Sequence, residues 1–483
     1  MRLFEIALLS AETLSTLLLI FGRRGSWRLG FLVLAPFLVA IVQMGIEGLR
    51  WQMIPAYALV AVLLAAWFVR HRYGQAWRSR QVPLNGTAAV AVVMALAGSW
   101  LLPIALPVFR FPIPSGPYAI GTLTYHWTDH SRREVFDADS STRRELMVQI
   151  WYPAKAGIRH GAAPYLEDAE ALSIAQARLH GLPDFALSHL KYVTTNATVA
   201  ASASDEGANF PVLIFLEGLT GYRQMNTFQV EALVSAGYIV VAIDQPFVAA
   251  TVVFPDGHEA MGLSKAQIDP LIQQSLRPNQ TAPILNRAAF ANGIIPYLAQ
   301  DASFVLDQLN VLNSADPNNV LAGKLDTNRV GVFGVSIGAI VAGEACRRET
   351  RLQACLMMDA PMTAGVVRDG LRQPSMWITR DAATMHAEGW ATTDIHQHQS
   401  TMWTAFEHSP SPGYLVRVAD LFHGNLTDVS YFSPFASRIG ITGPIDGRRA
   451  HAVVNAYSLA FFDRHLRGRH PPLLDEPTTG RGR

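Results

Sequence analysis

The sequence has few charged residues and almost no net charge. Charged side chains make up 16% of its 483 residues and the formal net charge is +1, whereas roughly a quarter of an ordinary soluble domain is charged. Basic residues occur only in short clusters and no phosphate-binding loop motif is present, so a nucleic-acid partner is excluded. Because half of the residues are hydrophobic, part of the chain is expected to lie in lipid.

The apolar residues are concentrated before residue 110. Four stretches approach the ~20 residues that cross a bilayer as a helix, and they lie at about residues 3–21, 29–46, 53–69 and 87–106. Glu5 and Glu12 make the first stretch the least typical span, because a carboxylate in lipid is costly. Residues 1–110 are therefore predicted to form a transmembrane helical region of about four spans, with the membrane bilayer as a partner.

The arginines between these stretches predict an orientation. Several arginines lie in the first and third loops: Arg23, Arg24, Arg28, Arg70, Arg72, Arg78 and Arg80. Arg50 alone lies in the second loop. Because arginine-rich loops stay in the cytoplasm, the chain after Arg110 is expected on the extracytoplasmic side, either periplasmic or extracellular.

Cysteine is scarce, since Cys346 and Cys355 are the only two. An extracytoplasmic location permits a disulfide, but the sequence does not show that the two Cα atoms come within reach of each other. We expect two buried free thiols.

After residue 110 short apolar runs alternate with helical segments, a pattern typical of an α/β fold. Eight runs are predicted to be strands, at residues 121–127, 146–152, 212–216, 238–243, 329–333, 354–358, 375–378 and 414–418. Most are solidly apolar, which favours a mostly parallel central sheet covered on both faces by helices. We predict one domain over residues 111–470, with helical insertions near 165–190 and 262–297 and a loose tail at 471–483.

The clearest chemical motif is Gly334-Val-Ser-Ile-Gly338, which matches the G-x-S-x-G nucleophile elbow. An apolar strand-like run precedes it and a small-residue helical stretch comes after it, as the elbow requires. The motif predicts an α/β-hydrolase fold, which follows the predicted α-helical membrane region in the chain. Ser336 is then the nucleophile, and the backbone N–H of Ile337 lies in the oxyanion hole.

A serine nucleophile needs a histidine base and a carboxylate that orients it, in the chain order Ser, Asp, His for this fold. His423 lies in a short loop after the last predicted strand and is the best-placed base. Asp359 and Asp381 both follow apolar runs after Ser336, and the pattern does not choose between them. Four other histidines are expected in ordinary surface positions: His396, His398, His408 and His451.

Residues 210–428 resemble the plasma-type platelet-activating-factor acetylhydrolases and their bacterial esterase relatives. The resemblance rests on the segments at residues 210–223, 304–309, 355–362 and 423–428. It implies that Asp359 is the acid and that the backbone N–H of Leu219 joins the oxyanion hole. Glu217 and Val335 stand where the family commonly has histidine, and Glu217 is expected to point away from the oxyanion, to be protonated or to have another role.

The resemblance and the predicted triad imply a serine carboxylic ester hydrolase that acts through an acyl-enzyme and needs no metal or organic cofactor. The apolar stretches before residue 110 add the expectation that it is anchored in a membrane. The expected substrate is a lipid or hydrophobic ester, such as a phospholipid with a short acyl chain. A general small-ester or polyester carboxylesterase is an alternative, because a fold does not fix a substrate. An alternative of another class is a membrane ligand sensor whose hydrolase-like domain lacks turnover.

Overall fold

The computed structural model describes residues 1–21, 29–72, 86–139, 141–157, 161–206 and 209–475. The chain forms two compact units. The first comprises Met1–Phe109 with Phe185–Val193 and Phe432–Phe435. The second comprises Arg110–Asp184, Thr194–Tyr431 and Ala436–Arg483.

The first unit contains four long apolar helices: α1 (Leu3–Phe21), α2 (Leu29–Glu47), α3 (Ile54–Arg72) and α4 (Gly86–Ala105). Its polar residues are partly paired inside the unit. The Arg50 and Glu5 side chains are both fully buried, and Nε of Arg50 lies 2.7 Å from Oε1 of Glu5. The arginine of the second predicted loop is therefore neutralised by the glutamate of the first predicted span.

The prediction of four membrane spans is not confirmed. Among the described residues, only the helical segment Trp51–Val69 is long and apolar enough to cross a bilayer, and Leu34–Glu47 and Val90–Ala105 are shorter apolar helices. A single helix of this kind is weak evidence, since a buried core helix has the same composition. Of the arginines used to predict the orientation, Arg23, Arg24, Arg28, Arg78 and Arg80 lie outside the described residues.

The second unit is built on a ten-stranded sheet. Its elements follow one another as β1 (Ala119–Arg133), β2 (Arg143–Ala154), β3 (Ala162–Pro164), α5 (Ala169–Leu179), β4 (Thr194–Val199), β5 (Phe210–Leu216), α6 (Thr227–Ser235), β6 (Ile239–Asp244), β7 (Thr251–Val253), β8 (Glu259–Met261), α7 (Lys265–Leu276), β9 (Ile284–Leu285), β10 (Ala288–Ala289), α8 (Ile295–Ser314), β11 (Leu325–Val335), α9 (Ile337–Arg348), β12 (Leu352–Met358), α10 (Ala364–Asp369), β13 (Ser375–Thr379), α11 (Ala382–Ala387), α12 (Thr392–His408), β14 (Gly413–Arg417) and α13 (Gly447–Arg467).

The strand order is β14-β13-β12-β11-β5-β6-β2-β1-β4-β3. Strands β14 to β6 in this order are all parallel, whereas β2 pairs antiparallel with both β6 and β1. The pairs β7–β8 and β9–β10 form two small separate hairpins. The prediction of a mostly parallel sheet flanked by helices is confirmed, and each of the eight predicted strands overlaps a strand of this sheet.

The apolar runs are buried on both faces of the sheet, as parallel strands require. On β5, Val212 and Ile214 pack in the same cluster as residues of α8 and α9. Leu213 and Phe215, which alternate with them, pack with residues of α6 and α13 on the other face. The helical layers therefore cover both faces of the sheet, and the parallel strands β14 to β6 have their carboxyl ends at one edge.

The two cysteines form a disulfide, so the expectation of two free thiols is wrong. Cys346 lies near the end of α9 and Cys355 in β12, with their Cα atoms 6.5 Å apart. Only three residues separate α9 from β12, so the chain turns back at once and brings the helix end alongside the strand.

Candidate active site

Ser336 occupies the sharp turn between β11 and α9. Its backbone has φ 59° and ψ −127°, a conformation that L-residues rarely adopt and that is typical of strained functional sites. An ideal Cβ on Gly334 would lie 2.4 Å from the carbonyl carbon of Gly338, and one on Gly338 would lie 2.1 Å from the carbonyl oxygen of Leu216. Both glycines of the motif are therefore required by close backbone approach.

Asp359 lies beside Ser336 at the same edge of the sheet. Each is the first residue after its strand, and Val335 of β11 is in register with Met358 of β12. The Ser336 N–H donates to the Met358 carbonyl at 3.0 Å, and the Asp359 N–H donates to the Ile378 carbonyl at 2.9 Å. Asp359 also has a positive φ of 49°, so its carboxylate is held where the chain leaves the sheet.

His423 comes after β14 in the chain and meets Asp359 directly. Its Nδ1 lies 2.7 Å from Oδ2 of Asp359, and its side chain is 29% exposed, whereas that of Asp359 is fully buried. Burial acts to raise the pKa of Asp359, but the imidazoles of His398 and His423 outweigh it and hold that pKa well below its usual range. The carboxylate is therefore ionised and can fix the orientation of the His423 ring.

Asp381 has a different part. It precedes α11, and its side chain accepts the backbone N–H of Thr384 at 2.7 Å. This is the position of a helix N-cap. The structure thus brings Asp359, and not Asp381, to His423.

The structure contradicts the expected surface positions of His398 and His451. The His398 side chain is 1% exposed, and its Nε2 lies 3.3 Å from Oδ1 of Asp359. His451 is also buried, with its ring nitrogens 3.0 Å from the Tyr431 hydroxyl and the Thr427 carbonyl. His396 and His408 are exposed, as expected. His398 is on α12, whose sequence is polar, so no pattern marks this residue as a neighbour of the site.

The two predicted oxyanion residues belong to chain segments next to the nucleophile. Ile337 is the first residue of α9, and the first amides of a helix have no acceptor within it. Leu219 is next to Gly218, where an ideal Cβ would lie 3.4 Å from Cβ of Ser336. The loop after β5 therefore passes directly beside the serine.

Glu217 is directed into the protein interior. It is fully buried, and its Oε1 accepts the backbone N–H of Gln245 at 2.7 Å. Burial, together with the nearby Asp244 carboxylate, raises the pKa of Glu217 well above its usual range. The raised pKa favours the protonated, neutral form of this side chain, which adds no negative charge close to the oxyanion loop.

The second unit matches a known family along almost its whole length. The model of the family described as "Platelet-activating factor acetylhydrolase, isoform II" matches residues 105–470. The chain belongs to this family. Within the described residues, no group of three or more His, Cys, Asp or Glu side chains is placed to hold a metal ion.

The individual proteins that this chain resembles are distant in sequence, but each alignment covers most of the other protein's length. The platelet-activating factor acetylhydrolase of Gallus gallus is 21% identical over 74% of this chain and 84% of its own length. The probable 1-alkyl-2-acetylglycerophosphocholine esterase of Arthroderma benhamiae is 22% identical over 80% of this chain and 96% of its own. The solved ferulic acid esterase from Streptomyces cinnamoneus is 26% identical over 77% of this chain and 97% of its own, with a TM-score of 0.60.

Family membership and the esterase structure make this protein a carboxylic ester hydrolase with an α/β-hydrolase fold. The family model begins at residue 105, so α1, α2 and α3 lie outside the match. The family match therefore lies mostly in the second unit.

Proposed function

We propose that the protein is a serine ester hydrolase that acts through an acyl-enzyme, with Ser336, His423 and Asp359 as its triad. The observation that carries the proposal is the 2.7 Å contact between His423 Nδ1 and the buried Asp359 carboxylate, at the sheet edge where Ser336 forms the elbow. A histidine held in this way presents its other ring nitrogen to a serine hydroxyl.

The reaction proceeds in two steps. His423 Nε2 accepts the proton of the Ser336 hydroxyl as the oxygen attacks the ester carbonyl, and it then gives that proton to the leaving alcohol. Asp359 holds the imidazole tautomer and stabilises the imidazolium. The backbone N–H groups of Leu219 and Ile337 stabilise the oxyanion. In the second step a water molecule gives a proton to His423 and attacks the acyl carbonyl. His423 then returns that proton to Oγ of Ser336 as the bond between Ser336 and the acyl group breaks and the acid leaves.

For the substrate, we propose a lipid or phospholipid ester with a short acyl chain. The family description and the names of the Gallus gallus and Arthroderma benhamiae relatives favour an acetyl ester of a glycerophospholipid. The second candidate is a small aromatic ester, which is favoured by the 97% coverage of the Streptomyces ferulic acid esterase. The non-catalytic ligand sensor is the candidate from another class.

A graded set of esters distinguishes these candidates. We expect the full-length protein to hydrolyse p-nitrophenyl acetate faster than longer p-nitrophenyl esters, and to hydrolyse a 2-acetyl phospholipid faster than methyl ferulate. Ser336→Ala should abolish every activity and also the labelling by a fluorophosphonate. Preference for methyl ferulate would select the second candidate. Absence of both turnover and labelling in the unmutated protein would refute the hydrolase and leave the sensor.

We also propose that the first unit anchors the protein in a membrane, with the second unit on the extracytoplasmic side. The apolar segment Trp51–Val69 supports the anchoring. We expect the protein to remain in the membrane fraction after alkaline carbonate extraction. Protease added outside spheroplasts should digest the second unit. Release into the supernatant by carbonate would contradict the anchoring, and protection from the protease would contradict the orientation.

A further inference from the structure

A closed ring of polar contacts joins the side chain of His423 to its own backbone. Asp359 Oδ2 contacts Nδ1 of His423 at 2.7 Å and Nε of Arg380 at 3.0 Å. Arg380 in turn pairs through Nη1 with Oε2 of Glu388. The other carboxylate oxygen of Glu388 accepts the backbone N–H of His423 at 3.0 Å. Arg380 and Glu388 thus form a second connection between Asp359 and His423.

The members of this ring come from separate parts of the fold. Asp359 lies directly after β12, Arg380 after β13, and Glu388 after α11. Because β12 and β13 are parallel neighbours, Asp359 and Arg380 leave the sheet side by side at the same edge. His423 lies outside the strands, at the start of the short 3-10 helix His423–Leu426. Glu388 adds a connection from the backbone of His423 to Arg380 at the sheet edge.

Arg380 and Glu388 are largely shielded from water. The Arg380 side chain is fully buried and that of Glu388 is 14% exposed. The Trp390 ring covers Arg380, with Cζ of the guanidinium 4.7 Å from the ring centroid, and the Trp390 and His423 rings lie 5.9 Å apart. In such surroundings charge-assisted hydrogen bonds are strong and hold their geometry.

Neutralisation of the Asp359 charge does not explain why Arg380 also pairs with Glu388. A buried guanidinium that faced Asp359 alone would already form a balanced pair with that carboxylate, so charge balance does not require Glu388. The second carboxylate instead uses one oxygen for Arg380 and the other for the main chain of His423. These two contacts of Glu388 are consistent with a role in positioning His423.

We propose that Arg380 and Glu388 are positioning residues that lock the His423 loop against Asp359, so that the imidazole stands ready for Ser336. This inference rests on the proposed serine mechanism. Neither residue touches the substrate in that mechanism, and both act through the Asp359–His423 pair.

The test compares Glu388→Ala and Glu388→Gln with Glu349→Ala in the full-length protein. Glu349 is the matched control, because its side chain is 11% exposed and pairs with Arg351 at 2.7 Å, outside the ring. We expect Glu388→Ala to lower kcat by about 10- to 100-fold, the range that a small misplacement of a catalytic group produces. KM should stay within about twofold, since the substrate contacts are unchanged. Glu388→Gln should recover part of kcat, because its amide oxygen can still accept the His423 N–H. Glu349→Ala should retain full kcat.

A fluorophosphonate separates positioning from folding. In Glu388→Ala the rate of labelling should fall together with kcat, while the fraction labelled at completion stays equal to that of the unmutated protein. A lower final fraction with an unchanged rate would mean that part of the protein is misfolded, and it would overturn the proposal. So would a kcat of Glu388→Ala within twofold of the unmutated value. If Ser336→Ala were as active as the unmutated protein, the serine mechanism itself would fail, which is a distinct result.

Discussion

Replacement of Gly338 by alanine tests how closely the elbow must pack. In the structure, the new Cβ would lie 2.1 Å from the backbone carbonyl oxygen of Leu216 and 2.5 Å from that of Glu217. Real Cβ atoms essentially never approach closer than 3.0 Å, and the obstacles are backbone atoms. The start of α9 must therefore move away from β5 by at least 0.9 Å, which is the difference between the 3.0 Å limit and the 2.1 Å contact.

That movement shifts Ser336 and the Ile337 amide together. A misplacement of this size costs about 100-fold in kcat, and forcing a methyl group into a packed site costs about 1–3 kcal/mol of unfolding free energy. Gly343, in the same helix, provides the control. There the new Cβ would lie 3.2 Å from Sδ of Met362, a flexible side chain. Alanine in a helix interior is favoured over glycine by about 0.5–1 kcal/mol, so Gly343→Ala should be neutral or slightly stabilising.

The assay measures kcat with p-nitrophenyl acetate and the free energy of unfolding in urea for both variants. Gly338→Ala should lose activity and stability, and Gly343→Ala should keep both. Equal kcat and equal unfolding free energies in the two variants would refute the argument that α9 must approach β5 this closely.

Three further predictions concern other residues. Asp359→Asn should lower kcat by about 10,000-fold, as loss of the orienting carboxylate does in serine hydrolases, whereas Asp381→Asn should leave kcat unchanged; the reverse result would exchange their roles. Reduction of the Cys346–Cys355 disulfide should lower the free energy of unfolding by about 2–3 kcal/mol, because the cross-link closes a short loop of the unfolded chain, and a Cys346→Ala/Cys355→Ala double variant should not respond to reductant. The free energy of unfolding of Glu217→Gln should increase relative to that of the unmutated protein as pH rises above 4.5, the pKa of Glu217 in the unfolded state. The difference should grow by up to about 1.4 kcal/mol per pH unit. The sign arises because a raised pKa means that the folded state holds the proton longer, so the unmutated protein loses stability as pH rises; parallel stability curves between pH 4 and 8 would contradict the buried, protonated Glu217.

Strands of the sheet can be predicted from the sequence where burial on both faces requires a continuous run of apolar residues. Strands such as β5 are buried on both faces, so their residues form continuous apolar runs. Strand β4 is not among the predicted strands, because its sequence from Thr194 to Val199 contains only two apolar residues and therefore no continuous apolar run. It becomes a strand through its pairing with β1 and β3, which only the folded chain provides.

The candidate site divides in the same way. The motif around Ser336 predicts the elbow because the turn itself demands its glycines. Asp359 and Asp381 both follow apolar strands, and the sequence pattern alone does not separate them. They differ in the next element of the chain, since α11 begins directly after Asp381 and takes its carboxylate as a cap. His398 reaches Asp359 from a polar helix about 40 residues further along the chain, and side chains that meet over such a separation leave no local pattern.

The sheet order also determines when the protein can begin to work. Strand β5 pairs with β11 across about 120 residues of sequence, and pairings of such high contact order are slow to form. Ser336, Asp359 and His423 all lie beyond that pairing, in the last third of the chain. For a chain still being synthesised, or one refolding from denaturant, we therefore expect the proposed catalytic centre to be complete only after the final strands have joined the sheet. Ester hydrolysis is accordingly among the last properties that the folding protein gains.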